Sequence, residues 1–244
     1  MSKAVCVLLA SILGLLSMQA TAEEGLVRID QAGVKAAGGF PFNITQPGSY
    51  RLMSNLVVPA TANGIMITAS NVFLDLNGFS ITCSGNQLAG ITDLAAAPNF
   101  ITNVQVKRGS ITGCGTAVFL ADTLMSNLED LSVSNYTQVG IQLFIGNVRR
   151  SSLVGSGQNG PAVNGSVGLA LRGGIVESNH FIGDFFGISG AAAPTLITGN
   201  VIQASQSAMI INSQSSMMGN NVLQAPATGG AVSQGNNFCN FQIC

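Results

Sequence analysis

One or two small residues followed by an aliphatic recur along most of the chain: GIMI (64–67), GITDL (90–94), TAVFL (116–120), GIQLF (140–144), VGLAL (167–171), GISG (187–190), SAMII (207–211) and GAV (230–232). Anchored on Ile65, Ile91, Val118, Ile141, Leu169, Ile188, Ile210 and Val232, the spacings are 26, 27, 23, 28, 19, 22 and 22 residues. Between the anchors lies a second marker, Asn before an apolar residue, at Asn71, Asn103, Asn127, Asn147, Asn200 and Asn221, with Asn179 continuing the row less cleanly. A unit of this length cannot bury an apolar face alone, so the units must stack. After residue 40 there is no sustained 3.6-residue period with helix caps, and the L-x-x-L-x-L spacing of leucine-rich repeats is absent. Each unit therefore reads as two or three short strands between Gly and Asn turns, one turn of a parallel β-solenoid. Composition agrees: only 8% of residues are charged, 30 are Gly and 47% are apolar, which suits many short strands and excludes disorder from low hydrophobicity.

The first 22 residues have a positive start at Lys3, an apolar run from Ala4 to Met18 and Ala20-Thr21-Ala22 before two acidic residues. That is the order of a secretory signal peptide, so export to the periplasm or the outside is expected. No later segment is apolar for long enough to span a bilayer. The formal net charge of −1 argues against nucleic acid or an anionic membrane as partner. The expected plan is a signal peptide over 1–22, an N-terminal cover with the first strands over 23–60, the solenoid over 61–229 and a C-terminal cover over 230–244. After the signal, Cys83, Cys114, Cys239 and Cys244 remain, an even number with three possible disulfide connectivities.

The segments PGSYRLMSNLVV (47–58), NVFLDLNGFSIT (71–82) and its echo NVQVKRGSITGCG (103–115), the repeated GI starts and the closing FCNFQIC (238–244) resemble secreted bacterial proteins of the pectin lyase-like superfamily. The resemblance implies an all-β, single-stranded right-handed parallel β-helix of about seven or eight turns with capped ends. It implies no particular activity, because that superfamily holds lyases, hydrolases, epimerases, phage tailspikes and proteins without an assigned reaction. Cys83 and Cys114 each follow an Ile-Thr pair at equivalent places in consecutive turns, and Cys239 and Cys244 are close in sequence. The expected pairing is Cys83 with Cys114 and Cys239 with Cys244.

Aligning NVFLD with NVQVK sets Asp75 beside Lys107, about 4.8 Å away if the strands pair in register. The same strand then holds Lys107 and Arg108, Glu129 and Asp130, Arg149 and Arg150, and Glu177, so the sign of charge alternates turn by turn. The plain reading is a solvent-exposed ladder of ion pairs that fixes register, each worth roughly 0–1 kcal/mol. The functional reading is a polar stripe for a sugar polymer, with arginines gripping carboxylates.

Tests for catalysis are mostly negative. No Asp-Asp dipeptide and no Trp occur, and acidic residues alternate with basic ones rather than clustering as a calcium site needs. Zinc spacing, phosphate loops and a Gly-x-Ser-x-Gly elbow are absent as well, so no metal and no cofactor are expected. The best acid and base group is Glu177, His180 and Asp184, with Arg172 upstream and Arg149 and Arg150 in the row, but it requires the chain to fold back after Asn179. Phe181, Phe185, Phe186, Phe144 and Tyr136 are either an exposed sugar-stacking platform or core. The expectation is a secreted, non-enzymatic protein whose lateral face binds a glycan or a cell-surface partner. A polysaccharide lyase or related carbohydrate-active enzyme is the alternative.

Overall fold

Alternation of apolar and polar residues fixes which side chains face inward on each short strand, and the stacking of turns does the rest. In a computed structural model, which describes residues 25–86, 88–94, 99–156, 165–190, 193–213, 216–239 and 242–243, the chain winds as a parallel β-solenoid of about eight turns. Each turn supplies three strand segments, and equivalent segments of successive turns pair in parallel as three sheets. The first sheet holds Gly48–Leu52, Val72–Asp75 and their successors through Thr195–Thr198 and Met217–Gly219. The second holds Leu56–Val58, Ser80–Cys83 and the segments stacked on them, and the third holds Ile65–Ile67, Ala89–Asp93 and theirs. Some strands run through the corners: Thr116–Ser134 serves the third sheet, then the first and second sheets of the next turn.

Six of the expected anchors form one column, Ile65, Ile91, Val118, Ile141, Leu169 and Ile188, each paired with the next. The last two do not. Met209, not Ile210, follows Ile188, and Val232 lies in the first sheet beside Met217. The motif is degenerate there: Ala208-Met209-Ile210-Ile211 offers three large apolar residues in succession, and only the pairing selects one. Similar inward columns line the other sheets, Leu74, Val106, Leu128, Val148 and Val176 on the first and Ile81, Ile111, Val133, Leu153 and Phe181 on the second. All ten are essentially fully buried, worth about 1.5–3 kcal/mol each as transferred surface. The small residue before each anchor has a steric reason. At Gly140 an added Cβ would stand 2.6 Å from the Gly168 carbonyl oxygen of the next turn.

The expected single row of asparagines divides into three. Asn71 and Asn103 form one pair, with left-handed backbones and Asn103 Nδ2 donating to Asn71 Oδ1 at 2.9 Å. Asn127 and Asn147 lie two residues further along the first sheet, where Asn127 pairs with Gln105. Asn179, Asn200, Asn221 and Asn237 are buried at the corner between the first and second sheets. There each Nδ2 donates to the next Oδ1, at 3.1, 3.0 and 2.9 Å, and each Oδ1 from Asn179 on also accepts a backbone N–H from the turn before. The ladder satisfies buried turn amides that no strand pairing reaches.

At the N-terminal end, within the segment 23–60 expected to hold the cover and first strands, Gly48–Leu52 and Leu56–Val58 are regular rungs against the next turn. What closes this end is the helix Gln31–Ala36, started by Asp30 accepting the Gly33 N–H at 2.7 Å. Its Gln31 side chain accepts the Val57 N–H at 2.7 Å, a strand-edge donor that would otherwise be open. At the other end Val232–Ser233 and Phe238–Cys239 continue the parallel rungs, and only Gln242–Ile243 reverses, antiparallel on Phe238–Cys239. Cys83 and Cys114 are disulfide-bonded across consecutive turns, as expected. Cys239 is also disulfide-bonded, while Cys244 and the signal-like segment 1–22 lie outside the described residues.

Candidate functional site

The charge row is real as a register column and different in its bonding. Arg51, Asp75, Lys107, Glu129, Arg149 and Glu177 are successive partners on the first sheet. Arg51 was missed because its segment read as cover. Asp75, expected to be exposed and bonded to Lys107, is 2% exposed and held by other groups. Arg108 grips both its oxygens, Arg51 lies 3.5 Å away and the Asn77 N–H donates at 2.9 Å. Lys107 instead places its ammonium 4.2 Å from the Phe73 ring centroid. The reason is local: Arg108 has a left-handed backbone, φ 57°, which turns its side chain back across the sheet edge. Burial pushes the Asp75 carboxyl up, but the Arg108 and Asn77 hydrogen bonds and the charges of Arg108 and Lys107 outweigh it, leaving the group below its ordinary value.

Further along, Arg150 bridges Glu129 at 2.7 Å and Asp130 at 2.8 Å, and Arg149 meets Glu177 at 3.1 Å, all on half-exposed side chains. The hydrogen bond from Arg150 holds the Asp130 carboxyl low. The row thus neutralises itself pair by pair and leaves no carboxylate poised as a base. Arg108→Ala is expected to lower the urea midpoint clearly more than Lys107→Ala, because it strands a buried carboxylate. Urea midpoints of the two variants measure this, and equal losses would contradict the assigned pairing.

Glu177, His180 and Asp184 do not converge. Glu177 ends a first-sheet strand and is tied to Arg149, whereas His180 stands exposed on the second sheet between Ser152 and Val201. Asp184 is fully buried inside the solenoid, where its Oδ2 accepts the Tyr136 hydroxyl at 2.6 Å. Its Oδ1 has no hydrogen-bond partner. Burial pushes this carboxyl up to about 7, with the Tyr136 hydrogen bond opposing. A group with that affinity for protons could serve as an acid or base, but no substrate reaches it. Phe181 and Tyr136 are likewise core, and Phe185 and Phe186 pack edge to face with each other.

Other shallow pockets lie beside Arg51 and Asp75 and beside the helix Gln31–Ala36, and another open surface lies on the third sheet. Its outward column runs Phe119, Gln142, Ala170, Ser189 and Ile210, and the small Ala170 between two longer side chains makes a depression. This shallow groove, about 400 Å³, is lined by Gln142, Ala170, Arg172, Ser189, Gly190 and Asn212 together with the edges of two core leucines. Arg172 lies with its guanidinium 4.9 Å from the Phe144 ring centroid, and Phe144 stacks at 5.0 Å on the exposed Phe100. Among the described residues the Gln142, Arg172, Ser189 and Asn212 side chains make no hydrogen bond and no ion pair, so their donors face solvent. Of these, only Arg172 and Phe144 stood out in the sequence. The others become visible when residues separated by the irregular spacings are stacked in register.

Among the described residues no group of three or more His, Cys, Asp or Glu is placed to hold a metal, and no helix is long and apolar enough to cross a membrane. Comparison of the chain with protein-family models, with curated proteins and with solved structures finds no match.

Proposed function

We propose that this is an exported, non-enzymatic β-solenoid that holds a glycan on its lateral face, in the groove of the third sheet. The observation that carries the reading is the juxtaposition, across four successive turns, of Gln142, Arg172, Ser189 and Asn212 in the groove with an aromatic pair beside it, Phe144 under the Arg172 guanidinium and Phe100 against Phe144. Sugar rings present an apolar face that stacks on aromatics and hydroxyls that take amide and guanidinium donors. The volume suits two or so sugar residues of a chain that continues along or across the sheet. The signal-like order of residues 1–22 supports export, and the resemblance to pectin lyase-like β-helices supports a carbohydrate ligand. A lyase or hydrolase is less favoured: the carboxyl with the raised proton affinity is sealed, and the row carboxylates are neutralised by arginines.

Affinity electrophoresis in gels containing acidic or neutral polysaccharides tests it. The wild-type chain is expected to be retarded by at least one polymer, and Arg172→Ala or Phe144→Ala to weaken that retardation about tenfold, roughly one lost stacking or charged contact. Retardation that survives both substitutions would place the site elsewhere.

A further inference from the structure

Charge is distributed very unevenly along the solenoid axis. From residue 178 to 244 the chain holds no Lys, Arg or Glu and one Asp, the buried Asp184. The last turns of the first sheet therefore leave the charge row at Glu177 and carry an outward apolar column: Ile175, Leu196, Met217 and Val232, each paired with the next. Leu196, Met217 and Val232 are 39, 44 and 50% exposed. Around the Asn179–Asn237 corner the second sheet continues the pattern with Val222 and Phe238, both about two-fifths exposed. Soluble surfaces intersperse charge of both signs, and a contiguous apolar strip without charge marks a contact surface.

We propose that this strip is the interface of a homodimer, two copies packed through their C-terminal turns about a two-fold axis. A membrane surface fits poorly, because interfacial binding draws on Lys and Arg beside the apolar residues and the strip has neither. A glycan also fits poorly, because the first-sheet column is aliphatic and offers no ring face or donor. A second copy fits because a two-fold contact sets the same patch against itself, where a patch of one sign would repel its copy, and this patch has no charge to repel. The formal net charge of −1 removes the long-range repulsion as well. Four rungs about 4.8 Å apart, continued onto the second sheet, give on the order of 500 Å² per copy. That is below the roughly 800 Å² of a standard interface, so the dimer is expected to be weak, with dissociation in the micromolar range.

Sedimentation equilibrium of the full exported chain across micromolar to submillimolar concentration tests it. The wild type is expected to pass from monomer to dimer, and Met217→Lys or Leu196→Lys to shift the midpoint at least tenfold upward. Met125→Lys, at a more exposed apolar residue outside the strip, is expected to leave it unchanged. Circular dichroism of each variant checks that it remains folded. A wild type that stays monomeric overturns the proposal, and so does a dimer that tolerates both strip substitutions. Met125→Lys dissociating the dimer as strongly as the strip variants would also overturn it.

Discussion

Gly174→Ala is expected to destabilise the chain by on the order of 4 kcal/mol or more, enough to unfold the middle turns. Gly174 begins the first-sheet part of Val167–Glu177 at φ 134°, a conformation nearly closed to residues with a Cβ. A Cβ there would also stand inside the van der Waals shell of the Gly146 carbonyl oxygen in the turn before, which belongs to backbone that cannot rotate away. Two costs therefore add, one of conformation and one of contact. Gly78→Ala separates them: Gly78 also has positive φ, 79°, but an added Cβ meets nothing within 4 Å. Its expected cost is about 1–2 kcal/mol, the left-handed penalty alone. Similar urea midpoints for the two variants would mean that close approach between turns is not what selects glycine at 174.

The second large effect is a stability that falls as pH rises toward neutrality. The folded chain binds the Asp184 proton up to about pH 7, because burial with an unpartnered Oδ1 penalises the charged form. The unfolded chain releases it near the ordinary carboxylate value. Below that value both states are protonated and the contribution to stability is complete. From there to about 7 the unfolded state alone ionises, so stability declines, by on the order of 4 kcal/mol in all, and then levels off. Burial raises the Asp93 carboxyl too, which adds to the decline. Asp75 and Asp130 act oppositely: their lowered values contribute stability above the ordinary carboxylate range, lost as pH falls through their folded values. Maximum stability is therefore expected near the ordinary carboxylate value, about pH 4. Asp184→Asn should flatten the decline and exceed the wild type at pH 8. Urea unfolding at half-unit steps from pH 4 to 8 measures both, and a wild-type curve that rises over this range would contradict the burial of Asp184.

The fold was legible because the strongest signal, a small residue before an aliphatic, is also the tightest packing constraint, the close approach seen at Gly140. It became ambiguous where Met209, Ile210 and Ile211 follow the small Ala208 in succession, so that Met209 rather than Ile210 occupies the column. The charge row was legible as a column because strands of successive turns share register, yet its bonds were not, since the left-handed backbone of Arg108 redirects one side chain. Asp184 was misread for a related reason. The pairing shifts between Ile182 and Asp184, and again before Phe186, so counting alternate residues from His180 loses the inward direction. The groove depended on stacking Gln142, Ala170 and Ser189 across spacings of 28 and 19 residues, which no single segment of sequence displays. A glycan site on a solenoid is a property of the stack, and its residues need no local motif.

We propose that the third-sheet groove holds a glycan and leaves it intact. The most direct measurement incubates the purified chain with polysaccharides that retard it, with calcium and with chelator, and assays reducing and unsaturated ends in the same samples. Retention with no new ends is expected, and retention that weakens with Arg172→Ala. New ends appearing in proportion to protein and time would contradict it and identify an enzyme.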